Sequence, residues 1–250
     1  MNNPTRKSNR KKLALVIFRA LGLIYASLVM APRPSNHAGM NPFIKEEGEM
    51  PMLIAHGGGN QEFPDNTLEA FYNAYSVDRN VMMETDVSLT KDGIIILSHD
   101  TTLDRKTTLT DAPIIETNYE DLMENEVDFG YENPIDEANG TNVTRTHIKY
   151  TNYKNERVTP ADVQYPQGIE PRHQEVFLAT TLEELIKAFP DNQINVEIKQ
   201  KGETGLEALD KTLTLMETLD DDYNTFSRIV LASFHETIYE AIKARAAEYD

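Results

Sequence analysis

The chain has 250 residues, 40% of them apolar, and no internal repeat, so it can bury one substantial core. Its 24 basic and 41 acidic side chains give a net charge of -17, which argues against DNA or RNA as the main ligand. Cysteine is absent, which excludes disulfides and thiolate catalysis.

Arg6, Lys7, Arg10, Lys11, Lys12 and Arg19 precede Pro32 and no acidic residue does; the remainder holds 18 basic against 41 acidic residues, or -23. The basic flank runs into Leu13 to Ala31, an apolar stretch of about bilayer-spanning length broken by Arg19 near its N-terminal side. Residues 1–31 read as a signal anchor or a cleaved signal peptide, the alternative being an amphipathic helix of the domain. Either membrane reading leaves the acidic body extracytoplasmic, anchored or secreted. Residues 32–51, with Pro32, Pro34, Pro42 and the run Lys45-Glu46-Glu47-Gly48-Glu49, read as a linker.

From residue 52 the pattern becomes short apolar runs that end in polar residues. Met52 to Ala55 predicts a buried strand ending at His56 and three glycines, and Asn66 to Tyr75 has helical spacing. Val81 to Leu89 predicts a second strand, with Glu84 and Asp86 on the face opposite Met83, Val87 and Leu89. Lys91-Asp92-Gly93 turns the chain into a third run, Ile94 to Ser98, which ends at His99-Asp100. Residues 128–175 lose all periodicity and read as an insertion, expected to build a small subdomain over the site. Helical patterns return at Thr181 to Phe189 and Gly205 to Leu219, and strand patterns at Ile194 to Lys199 and Arg228 to Phe234. Strands alternating with helices predict an α/β fold with a parallel sheet, whose chemistry gathers where the strands end.

Glu84 and Asp86 lie two apart on one strand face, and carboxylates that close repel unless a cation bridges them. Oxygen-rich sites of this kind suit Mg²⁺ or Ca²⁺, with Glu197 able to supply a third ligand and Lys199, on the same face, able to meet a phosphate oxygen. His56 and His99 stand at strand ends, where two imidazoles could serve as acid and base for one displacement. Gly57, Gly58 and Gly59 would let backbone amides approach an anion. Taken singly, each has an ordinary explanation: an exposed edge strand, satisfied structural histidines, a loop, an ion pair. Their combination is what points to a site.

In chain order, Ala55-His56-Gly57-Gly58, Phe63-Pro64-Asp65-Asn66-Thr67-Leu68-Glu69-Ala70-Phe71, Met83-Glu84-Thr85-Asp86-Val87, Leu89-Thr90-Lys91-Asp92-Gly93 and Ser98-His99-Asp100 resemble the glycerophosphodiester phosphodiesterase family. Leu103-Asp104-Arg105-Lys106-Thr107-Thr108, Thr180 to Glu184, Asn195 to Lys199 and Ala232-Ser233-Phe234 continue the match, which covers roughly Leu53 to Phe234 apart from 128–175. The resemblance implies a TIM-type (β/α)8 barrel over 52–250 and one divalent cation held by Glu84, Asp86 and Glu197. It implies His56 and His99 as the catalytic pair, with Lys199, Gly57 and Asn66 on the substrate and phosphate side. The substrate it implies is a small glycerophosphodiester, cleaved to an alcohol and glycerol 3-phosphate, or alternatively a lysophospholipid cleaved in lysophospholipase D fashion. In related enzymes the neighbouring glycerol hydroxyl attacks phosphorus and water opens the resulting cyclic phosphate. Two departures stand out: Gly57 occupies the place of the family's arginine, and Asp65 that of a glutamate. Only five strands are expected before Asp250, so the barrel is expected to be C-terminally incomplete. A glycerophosphate-binding homologue with impaired catalysis is the remaining alternative.

Overall fold

The computed structural model describes residues 51–246 except 133–134, 137–140 and 143–146, and before them only Arg19, Phe43 and Gly48. The sheet and the helices around it lie in the compact unit that begins at Lys45. The apolar stretch expected as a membrane address lies, Arg19 apart, outside the described residues. No helix among the described residues is long and apolar enough to cross a membrane.

The expected strands form as β1 (Ile54–His56), β2 (Met82–Leu89), β3 (Ile95–Leu97), β8 (Ile194–Ile198) and β9 (Ile229–Ala232). They make one sheet of order β1-β2-β8-β9, all parallel, with β3 added to β2. β2 is buried at every position because it has neighbours on both edges and packing on both faces. Here the third strand needs correction: β3 runs antiparallel to β2, Val87 opposite Leu97 and Leu89 opposite Ile95, and is not a barrel strand of the parallel set. The physical reason lies in the turn Thr90 to Ile94, since a parallel return needs a crossover of a dozen residues or more. Within the described residues the sheet is open, and no closed barrel forms. Leu53 and Ile54 at its β1 edge are 58% and 57% exposed.

Helices cover one face. α1 (Leu68–Val77) starts where the Thr67 hydroxyl accepts from the Ala70 amide, and α3 (Leu182–Ala188) starts at a capping box of Thr181 and Glu184. α4 (Gly202–Tyr223) lays Leu209, Leu213 and Met216 against the sheet, and α5 (Thr225–Arg228) leads into β9. After β9 the chain forms α6 (Glu236–Ala246), a helix the sequence pattern did not suggest, because only Ile238 of it is buried. Met83, Val87 and Leu89 join these helices in the main core, which leaves Glu84, Asp86 and Ser88 on the opposite face.

Between β3 and α3 come α2 (Tyr119–Glu124) and the segment expected to be irregular. The latter contains two short antiparallel pairs, β4 (Tyr131–Glu132) with β7 (Ile148–Lys149) and β5 (Ile135–Asp136) with β6 (Thr141–Asn142). Phe129, Val163 and Phe177 hold it down on a second core with Phe63, Ile96 and Leu103. Arg172 clamps its far end, pairing with Glu69 at 3.2 Å and Glu184 at 3.1 Å.

Candidate active site

Strand register assembles the site. His56 of β1 stands opposite Glu84 of β2, and Asp86 stands opposite Glu197 of β8, so four side chains from three parallel strands share one face. One carboxylate oxygen from each of Glu84, Asp86 and Glu197 lies within 4.8 Å of the others. Lys199, two residues beyond Glu197, reaches back to Glu197 Oε1 at 3.0 Å and Asp86 Oδ1 at 3.1 Å.

Neighbouring polar groups aim these carboxylates. The Gly57 amide donates to Glu84 Oε2 at 2.9 Å. The Asn66 side chain is fully engaged: its Nδ2 donates to Asp86 Oδ2 at 2.9 Å, while its Oδ1 accepts from the Asp86 amide at 3.1 Å and the Thr85 hydroxyl at 2.7 Å. The Gly57 amide and the Asn66 side chain, both expected beside the phosphate, thus make their hydrogen bonds here to the carboxylates of Glu84 and Asp86. Gly57 is held at φ +55°, and a Cβ built on it would lie 3.0 Å from the Asp65 Cβ.

The charges do not balance. Burial, and behind it the charges of Asp86 and Glu197, push the Glu84 carboxyl up despite the Gly57 amide that pulls it down. Against burial, Glu197 and Asp86 hold the Lys199 ammonium charged and its pKa above the ordinary value. Three carboxylates facing one ammonium leave two negative charges, and the donor atoms are all oxygen. That set fits one hard divalent cation such as Mg²⁺ or Ca²⁺, held by Glu84, Asp86 and Glu197.

Both histidines line one concavity of about 210 Å³, with Gly57, Asn60, Asp65, Asn66, Asp86, Arg105, Glu132 and Tyr150. His56 is well exposed, its Nε2 3.9 Å from Glu84 Oε2. His99 Nδ1 meets Asp100 Oδ1 at 3.0 Å, and this hydrogen bond raises the imidazole pKa against its burial. Asp100 Oδ2 in turn accepts from Arg105 Nε at 2.6 Å, and the rest of that guanidinium grips both oxygens of Asp65 at 3.2 and 3.3 Å. Lys106, buried, also pairs with Asp65. Burial would lift the Asp65 carboxyl, but Lys106 and Arg105 outweigh it and hold it far below the carboxylate range.

Sequence reasoning singled out His56, His99, Glu84, Asp86, Glu197 and Lys199, and all but Glu197 and Lys199 come from the stretch 56–100. The structure brings Glu84, Asp86, Glu197 and Lys199 into one cluster and sets both histidines on the adjoining concavity. It adds Asp100, Arg105 and Lys106, whose signal was their place just after His99, and Glu132 and Tyr150, for which the irregular segment offered no signal. Size does not locate the chemistry: a larger hollow of about 530 Å³ between α3, α4 and the β2–β3 turn contains no histidine.

Residues 56–250 match the glycerophosphoryl diester phosphodiesterase family. The chain belongs to this family. Among similar proteins is a glycerophosphodiester phosphodiesterase of Caldanaerobacter subterraneus, 43% identical over 56 residues, or 22% of this chain and 23% of that one. The mouse lysophospholipase D GDPD3 is 42% identical over 57 residues, 23% of this chain and 17% of the relative. The chain thus aligns with about a quarter or less of the length of these two relatives. Solved structures of the glycerophosphoryl diester phosphodiesterase family share the fold. One is a domain of an uncharacterized Mycobacterium tuberculosis protein, with TM-score 0.51, 20% identity, and coverage of 78% of this chain and 57% of that one. Another is the Agrobacterium tumefaciens glycerophosphodiester phosphodiesterase, with TM-score 0.50, 17% identity, and coverage of 80% and 64%.

Proposed function

We propose that this chain hydrolyses glycerophosphodiesters to an alcohol and glycerol 3-phosphate, with one divalent cation resident at Glu84, Asp86 and Glu197. The observation that carries the reading is the trio of carboxylate oxygens within 4.8 Å of one another, next to a concavity lined by His56 and His99. Bound there, a divalent cation supplies neutralisation of phosphate charge and acidifies a hydroxyl. The chain's own residues do the rest. Gly57 and Asn66 fix the carboxylate orientations, and Lys199 offers an ammonium to a phosphate oxygen. Of the two imidazoles, one accepts the proton of the attacking hydroxyl and the other donates to the departing alcohol oxygen. Asp100 holds the Nδ1 proton of His99, which turns Nε2 of that ring toward the reacting groups. With Gly57 in place of arginine, phosphate binding rests on Lys199 and the cation.

A lysophospholipase D-type hydrolysis, the same bond in a lipid substrate, is supported by the similarity to the mouse protein of that name. The basic flank and apolar stretch of residues 1–31 would place such a domain outside the cytoplasm at a membrane. Hydrolysis of glycerophosphocholine and lysophosphatidylcholine, with and without chelator, separates these readings. Activity is expected to vanish with chelator and to fall about 10²–10⁴-fold in His56→Ala and in His99→Ala. Activity that persists with chelator, or in both variants, sinks the mechanism.

A further inference from the structure

The concavity that holds the histidines continues past Asn60, Glu132 and Tyr150 into a second hollow of about 230 Å³, reached also by Gln61, Asn152 and Tyr153. The shared wall adjoins His56, since Asn60 Nδ2 lies 3.5 Å from His56 Nδ1. Tyr150 is fixed in that wall by its hydroxyl, which donates to the Asn60 carbonyl at 2.6 Å. Burial, then the charge of Glu132, push the Tyr150 phenol up and keep it neutral. Glu132 is exposed, is the single charged group on the lining of this hollow, and has no ion pair among the described residues. Tyr153 is 59% exposed, and its ring already receives an ammonium, with Lys154 Nζ 5.2 Å from the centroid. The Tyr153 side chain foremost, and Glu156 and Glu62 behind it, hold the Lys154 ammonium charged.

A carboxylate and two tyrosine rings around a small hollow attract an alkylammonium group. A neutral polyol can hydrogen-bond the carboxylate but lacks the charge attraction of an ammonium, and an anionic alcohol is repelled by it. Resting on the hydrolase reading above, we propose that Glu132, with Tyr150 and Tyr153, forms a subsite for a cationic alcohol carried on the phosphodiester, its ester oxygen on the His56 side. Glu132 is then a specificity-determining residue that belongs to the segment between α2 and α3 and not to the parallel sheet.

The test compares kcat/KM for glycerophosphocholine and glycerophosphoethanolamine with that for glycerophosphoglycerol in the wild type, Glu132→Gln and Glu132→Lys. The cationic-to-neutral ratio is expected at about five in the wild type, near one in Glu132→Gln and below one in Glu132→Lys, with the change carried by KM. A lysophosphatidylcholine arm distinguishes a lipid-borne from a soluble source of the same head group. Tetramethylammonium is titrated separately against the full chain, and it is expected to move the Tyr150 and Tyr153 ring resonances in the wild type but not in Glu132→Lys. Equal use of cationic and neutral substrates by the wild type overturns the subsite and leaves the hydrolase reading standing. If no phosphodiester is hydrolysed, the hydrolase reading falls, and unmoved tyrosine resonances then overturn the subsite on their own.

Discussion

Two charged clusters meet at Asn66, whose side-chain amide donates both to Asp86 at 2.9 Å and to Asp65 at 3.2 Å. On one side, Glu84, Asp86 and Glu197 face the single ammonium of Lys199. On the other, Asp65 and Asp100 face the two cations Arg105 and Lys106. The second cluster is neutral as built and every charge in it has a partner; the first is short of two positive charges. Burial makes that difference expensive, because an uncompensated charge in a low dielectric is destabilising while a matched pair is tolerated. The neutral cluster compensates its own charges, and the deficient one leaves two for the proposed cation to offset.

Neutralising one carboxylate on each side breaks or sharpens this contrast. The largest effect is expected in Asp65→Asn, which strands the buried Lys106 and leaves Arg105 with Asp100 alone, and should cost about 3–5 kcal/mol in denaturant titration. Because the Asp65 pKa is depressed in the fold, its contribution is present above the unfolded carboxylate value of about 3.9 and is lost as pH falls through the folded one. The acid limb of the stability curve should accordingly flatten in this variant. In the deficient cluster the sign differs. A divalent cation at a hundredfold excess over its Kd should stabilise the wild type by about 2.7 kcal/mol, and Glu197→Gln should lose most of that response in a thermal melt. Without the cation, Glu197→Gln should be no less stable than the wild type; a loss of several kcal/mol there would place both clusters in the scaffold.

The smallest effect is expected in Asp100→Asn. It should leave the fold intact and lower the His99 pKa, read by NMR titration of the imidazole. The His99–Asp100 bond raises the folded pKa, so its stabilisation is full below the unfolded histidine value of about 6.5 and is lost as pH rises through the folded one. An unmoved His99 titration would detach Asp100 from the site.

Much of this was legible because it is periodic. Alternation along β2 put Glu84 and Asp86 on one face, the two-residue step from Glu197 to Lys199 did the same on β8, and apolar spacing from Thr181 to Phe189 marked a helix. What could not be read was long-range. That the Gly57 amide serves Glu84, that Asn66 serves Asp86, and that Tyr150 docks on Asn60 depend on chain segments 20 to 90 residues apart meeting in space. The antiparallel pairing of β3 was within reach, since a turn as short as Thr90 to Ile94 permits no crossover. Helix α6 escaped because a helix that buries one residue has almost no apolar stripe to detect.

The turn at Gly57 carries a consequence for how the chain can change. An arginine there would adopt a left-handed backbone at about 1–2 kcal/mol, and its first side-chain carbon would press on Asp65, the anchor of both scaffold cations. Positions 57 and 65 are therefore epistatic. A guanidinium at the first position asks the second to give by a few tenths of an ångström, so the paired change is expected to cost less than the single one.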